Sequence, residues 1–194
     1  MTIKNILITI TLLFITFGLR SQTSLISGNI PSLFIKNAEV EIQIVNLTQP
    51  ETIIVIPDTT GHYQFQLPNG NDYKITAKLV GGERYDDFLN GVTTLDLVLI
   101  QRHILGLVPL SSASKILAAD VSFNGNVTAT DMVLIRKLLL GINQNFGHSI
   151  SWLLRPSSNV NLEFYEIIDL QSDTTGLDFE TIKLGDVNGT ARIN

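Results

Sequence analysis

Residues 120–131 read Asp120-Val121-Ser122-Phe123-Asn124-Gly125-Asn126-Val127-Thr128-Ala129-Thr130-Asp131, with oxygen side chains at positions one, three, five, nine and twelve and glycine at six. Calcium takes six to eight oxygens at about 2.3–2.6 Å, and a chain curls around one ion only where a glycine permits the sharp central turn. Asp120, Ser122, Asn124, the Asn126 carbonyl, Thr128 (directly or through water) and a bidentate Asp131 would complete such a shell. The alternative reading is a plain turn in which Asp131 caps a helix start. A repeat favours the ion: Asn90-Gly91-Val92-Thr93-Thr94-Leu95-Asp96-Leu97-Val98-Leu99-Ile100 returns 35 residues later as Gly125-Asn126-Val127-Thr128-Ala129-Thr130-Asp131-Met132-Val133-Leu134-Ile135, and Gly106 and Gly141 keep the same offset.

After each loop the apolar period is about 3.6. Leu97, Ile100 and Ile104 mark one helix from about Thr94 to Gly106, and Met132, Ile135 and Leu139 a second up to Gly141. Pro109 and Ser111-Ser112 open a short linking helix through about Ala118. Upstream the period is two. Five strands are predicted at Ser24–Ile30, Ala38–Leu47, Glu51–Ile56, His62–Leu67 and Asp72–Leu79, with Asp58–Gly61 and Pro68–Asn71 as turns. Val40, Ile42 and Ile44 should share a buried face, as should Tyr63, Phe65 and Leu67. From Ile150 onward strand character returns, best at Asn161–Leu170 and Phe179–Leu184, with Trp152 expected as a core anchor.

The fold class is therefore α+β with two domains, an N-terminal antiparallel β-sandwich followed by a pair of calcium loop–helix units with a C-terminal β layer. The expected boundaries are a signal peptide at 1–22, the sandwich at 23–83, the loop–helix domain at 84–146, and C-terminal strands at 147–194 packing on that domain. Lys4 followed by the apolar run Ile6–Phe17 has the form of a secretory signal core and is short for a membrane span. Its removal would take Lys4 and Arg20, leaving 11 basic against 18 acidic side chains, so the formal charge would move from −5 to −7. Such a chain is a poor partner for a nucleic-acid backbone. With no cysteine there is neither disulfide nor thiolate chemistry, and stability rests on the core or on bound metal.

The two loop–helix units, over about residues 86–146, resemble a dockerin type I domain. The stretch Ser27-Gly28-Asn29, Ala38-Glu39-Val40, Asp58 to Gly70 and Tyr73-Lys74-Ile75 resembles carboxypeptidase regulatory-like and Cna-B-type domains, which implies a seven-stranded prealbumin-like sandwich without catalytic groups. The dockerin resemblance implies a calcium-bound module that docks onto a cohesin domain, as parts of polysaccharide-degrading or cell-surface assemblies do. It also implies a docking face: Thr94, Leu95, Gln101 and Arg102 in one unit, Ala129, Thr130, Arg136 and Lys137 in the other.

The first loop departs from the pattern. The 35-residue offset places Tyr85, Asp87, Leu89 and Asn90 at its first, third, fifth and sixth positions, and neither Tyr85 nor Leu89 is a short oxygen ligand. At the far end of the chain, however, Gly185-Asp186-Val187-Asn188-Gly189-Thr190 copies the opening of a dockerin loop. The expectation is that Asp186, Asn188 and Thr190 join Asp87 and Asp96 around one ion or a hydrogen-bonded mimic of one, although Asp-Val-Asn-Gly is also an ordinary turn sequence.

No nucleophile elbow, phosphate loop, His-Glu-x-x-His or dinucleotide fingerprint is present, and His62, His103 and His148 lack ligand spacing. The chain reads as secreted and non-catalytic. It is either a docking module for a cohesin-like partner or a structural surface domain that calcium merely stiffens.

Overall fold

The computed structural model describes residues 22–31, 40–80 and 87–192. The expected signal segment up to Ser21, and Ala38 and Glu39 of the second predicted strand, lie outside the described residues. Five N-terminal strands form where the alternation places them: β1 (Thr23–Asn29), β2 (Val40–Asn46), β3 (Glu51–Val55), β4 (His62–Pro68) and β5 (Tyr73–Leu79). β1 pairs antiparallel with β4, while β2 lies between β3 and β5, also antiparallel. Val40, Ile42 and Ile44 are buried on one face of β2 and meet Ile26, Tyr63, Leu67 and Ile75 in a common core. This antiparallel layering is the expected one.

Three helices follow, α1 (Thr94–Ile104), α2 (Ala113–Ala119) and α3 (Ala129–Leu139). Asp96 and Asp131 each sit in the first turn and accept the backbone N–H of the preceding cap residue, Thr93 at 2.8 Å and Thr128 at 2.9 Å. That box satisfies a donor the helix cannot. Ile100, Ile135 and Leu138 are buried in a second core with Phe88, Ala119 and Val121. Ile104, expected on the buried face, is exposed because α1 ends there and Gly106 turns the chain away with φ +70°.

The C-terminal segment corrects two expectations. Strand β6 (Trp152–Pro156) pairs with β8 (Phe179–Lys183), but β7 (Tyr165–Ile167), much shorter than the run Asn161–Leu170, pairs with β5 in the N-terminal sheet. Residues 174–177 also lie along β1, where Ser27 donates to the Thr174 carbonyl at 3.1 Å and Leu177 donates to that of Ser27. The segment 147–194 thus divides between both cores instead of packing on the helical unit alone. The reason is the period of two in β6 and β8: Leu153 and Ile182 face the helices, whereas Leu154 and Phe179 face the sheets. Trp152, expected as an anchor, is only half-buried, and its neighbours Leu153 and Leu154 fill the interior.

The N-terminal sheets close onto this ribbon through tyrosines. The buried Tyr63 hydroxyl donates to the Leu177 carbonyl and that of Tyr165 to the Asp178 carbonyl, while Phe179 packs against both rings at centroid distances of 6.4 and 5.2 Å. Burial raises the Tyr63 hydroxyl well above the ordinary tyrosine range. Phe179→Ala should cost about 3–5 kcal/mol, read as a lower urea midpoint. It should also weaken the near-ultraviolet tyrosine signal of the N-terminal sheets, over a hundred residues away in sequence.

Candidate metal centre

The continuous loop is organised by two carboxylates. Asp120, 7% exposed, accepts the N–H of Asn124 at 3.1 Å and that of Gly125 at 2.8 Å, and Asp131, fully buried, accepts the N–H of Ser122 at 3.0 Å and both the N–H and hydroxyl of Thr128. The Asn124 side-chain oxygen accepts the Asn126 N–H at 2.9 Å. Gly125 has φ +83°, the left-handed conformation the sixth position demands. His148 braces the loop from outside, its Nε2 3.0 Å from the Val121 carbonyl and its ring against Phe123.

The same pattern recurs across a 90-residue gap. Asp186 accepts the N–H of Thr190 at 3.2 Å and that of Ala191 at 2.7 Å, as Asp120 does from Asn124 and Gly125. Asp96, fully buried, accepts the N–H of Asn188 at 3.2 Å and the N–H and hydroxyl of Thr93 at 2.8 Å, as Asp131 does from Ser122 and Thr128. Val187 adds a further N–H to Asp96 at 3.0 Å. Residues 186–191 therefore stand to 91–96 as the first half of the continuous loop stands to its second half. Thr190 closes the join by donating its hydroxyl to the Gly91 carbonyl at 3.0 Å, and the Asn90 side chain pairs with the main chain of Arg192. Gly91 is required here: a Cβ would stand 2.5 Å from the Ala191 backbone, besides φ +75°.

Of the five residues expected at the composite site, the structure brings Asp96, Asp186, Asn188 and Thr190 together and leaves Asp87 aside. The exposed Asp87 carboxylate accepts the N–H groups of Leu89 and Asn90 in a turn of its own. Its charge falls on Lys183 instead. That buried ammonium donates to the carbonyls of Phe88 at 3.0 Å and Leu184 at 3.1 Å, and burial pushes its pKa down to about 8 against the opposing pull of Asp87 and Asp186. Nothing in the sequence marked Lys183, since its strand position predicts only alternation.

Both loops suit a hard cation. Asp96, Asp120, Asp131 and Asp186 are buried without an ion-pair partner among the described residues, where Arg155–Glu163 is the one salt bridge. Asp120, Asp131 and Asp186 each keep one oxygen that accepts a single N–H and so has a second lone pair, whereas each Asp96 oxygen accepts two hydrogens. The Asn188 side-chain oxygen is buried with no hydrogen-bond partner among the described residues. Among the described residues, no group of three or more His, Cys, Asp and Glu side chains gathers. The remaining oxygens at each loop are hydroxyl, amide and main-chain groups, which calcium accepts.

The eight residues expected to face a partner, Thr94, Leu95, Gln101, Arg102, Ala129, Thr130, Arg136 and Lys137, are all exposed. So are three apolar pairs at the 35-residue offset that the motif reading missed: Val98 with Val133, Leu105 with Leu140, and Leu107 with Ile142. Exposed aliphatic side chains repeated at symmetric positions are the signal by which they stand out.

Residues 90–140 match the family model of the dockerin type I domain, so the resemblance carried by the loop–helix units extends to that model. Domains of that type bind calcium and dock onto cohesins. The match stops short of residues 186–191, the other half of the first loop. No curated protein and no solved structure matches the chain. Among the described residues, no helix is long and apolar enough to cross a membrane.

Two outcomes follow with calcium chelated. Asp96→Ala should cost at least about 2 kcal/mol, because several N–H donors lose a charged acceptor, and the Val187 and Asn188 amides should exchange hydrogen fastest. The depressed Lys183 pKa means that the unfolded chain binds more protons above about pH 8. Stability against urea should therefore rise from pH 7.5 to 9.5, and Lys183→Met should remove that rise.

Proposed function

We propose that this chain is a secreted, non-catalytic, calcium-bound docking module that engages a cohesin-like protein domain, within a polysaccharide-degrading or cell-surface assembly. The observation that carries this reading is the repeated carboxylate geometry at two loops, one of them inside the matched segment. Asp120, Ser122, Asn124, the Asn126 carbonyl, Thr128 and Asp131 hold one ion. Asp96, Asp186, Asn188 and Thr190, with the Gly91 carbonyl in the role of Asn126, hold the other. Each loop places two carboxylates at these positions, so affinity belongs near the extracellular range of about 10⁻⁴–10⁻³ M. The Lys183 charge beside Asp186 makes the split loop the weaker of the two.

Calcium fixes the N-termini of α1 and α3, and with them the exposed faces carrying Leu95, Arg102, Thr130 and Lys137 together with the apolar pairs. A purely structural role is the second reading. It is favoured by the ribbon β6–β8, whose side chains enter both the helical core and the sheet core.

Calorimetric titration should give two calcium ions per chain. Asp131→Ala should remove the tighter and Asp186→Ala the weaker, and an unchanged stoichiometry in both variants would sink the calcium assignment. Capture by a panel of purified cohesin domains should require calcium. It should be lost in the double variant Leu107→Glu, Ile142→Glu, which leaves both loops intact; calcium binding with no capture by any cohesin supports the structural reading.

A further inference from the structure

Among the described residues strand β8 pairs with one strand, β6, and just past its end the Gly185 N–H is taken by the Ala118 carbonyl of α2 at 2.7 Å. Leu184 donates to the Ser151 carbonyl at 3.0 Å and Ser157 donates to that of Asp178 at 2.8 Å, which fixes the phase of the ladder. In an antiparallel pair the inward groups alternate, so residues 178, 180, 182 and 184 face β6, and Phe179, Thr181 and Lys183 turn their main-chain groups outward. The Lys183 carbonyl is taken by the Asp186 N–H at 3.3 Å. Among the described residues nothing takes the N–H or carbonyl of Thr181, or the N–H of Lys183.

A cleft of about 350 Å³ runs along this edge. One wall is the four successive residues Glu180–Lys183, another is α2 with Lys115 and Ala118, and the C-terminal turn to Arg192 closes an end. Trp152 supplies half-buried apolar surface, while Ile182 and Val187 are turned into the helical core. Lys115 and Arg192 stand at the cleft without a carboxylate partner among the described residues, and the Arg192 guanidinium donates only to the Gly189 and Ala191 carbonyls. The cations lining the cleft, Lys115, Lys183 and Arg192, outnumber its carboxylates, Glu180 and Asp186. In a chain of net charge −5 this is a locally cationic trough.

We infer that the β8 edge is a peptide-binding site that takes a short, extended, acidic segment of a partner protein as an added strand. The Thr181 N–H and carbonyl bond the peptide main chain, as strand addition to an open edge requires. Alternate side chains of the peptide then divide between the Trp152 ring and the cations Lys115 and Arg192. The site is separate from the exposed helix faces assigned to docking and does not depend on that assignment.

Trp152 is the single tryptophan of the chain and lines the cleft, so its fluorescence reports occupancy. The full chain, in calcium, is titrated with the blocked peptide Ac-Glu-Val-Glu-Val-Glu-NH₂, its lysine counterpart Ac-Lys-Val-Lys-Val-Lys-NH₂, and an acidic peptide N-methylated along its main chain. The acidic peptide should saturate the signal at least tenfold more tightly than the lysine peptide, and N-methylation should weaken it at least tenfold. Thr181→Pro removes the outward N–H while sparing the ladder to β6 and should do the same. If that variant fails to fold, the N-methylated peptide decides alone, since it leaves the protein unaltered. No saturable signal, equal binding of the lysine peptide, or undiminished binding after N-methylation each overturns the proposal, as does a chain that self-associates through this edge.

Discussion

The Asp96 carboxylate is the constraint on which the rest depends. It is fully buried, stands in the first turn of α1, and receives main-chain N–H groups from Thr93 on one side and from Val187 and Asn188 on the other. A buried charge is tolerable only where donors or a cation answer it. Here the donors come from places 90 residues apart, so the carboxylate is satisfied only when the chain has closed on itself. The ribbon β6–β8 leads directly into that closure, and because its two faces feed two cores, the sheets and the helices share its fate.

Much of this was legible in the residues. The period of two in Val40–Ile44 and Tyr63–Leu67 and the period of 3.6 after each loop translate directly into burial, since one face of each element must leave water. The kinship of residues 186–190 with 120–124 was also legible, because a loop that wraps an ion tolerates few residue types at fixed spacing. Asp87 was misplaced for an instructive reason. Counting back from Asp96 assumes that the chain is continuous through the loop, whereas the first half comes from elsewhere and Asp87 forms its own turn.

What could not be read was where the last fifty residues go. Alternation in Leu153-Leu154 and Phe179–Ile182 says that both faces are covered but not by what, and pairing of β7 with β5 is a non-local choice that no local pattern encodes. The half-burial of Trp152 belongs to the same class, since apolar size predicts an interior place only where an element lacks an open side. Lys183 was invisible for a further reason: burial depresses its pKa against the pull of Asp87 and Asp186, and that burial, beside the Phe88 carbonyl, is made only by the fold.

The division of the first loop between residues 91–96 and 186–191 also orders events in time. As the chain leaves the ribosome from its N-terminus, Asp120–Asp131 can close within a dozen residues, at the small entropic cost of a short loop. Asp96 stays in water until another ninety residues have followed, since its burial and its Val187 and Asn188 donors arrive together. The continuous loop can thus close on a partial chain, whereas the split loop closes only on a chain whose residues 186–191 have arrived.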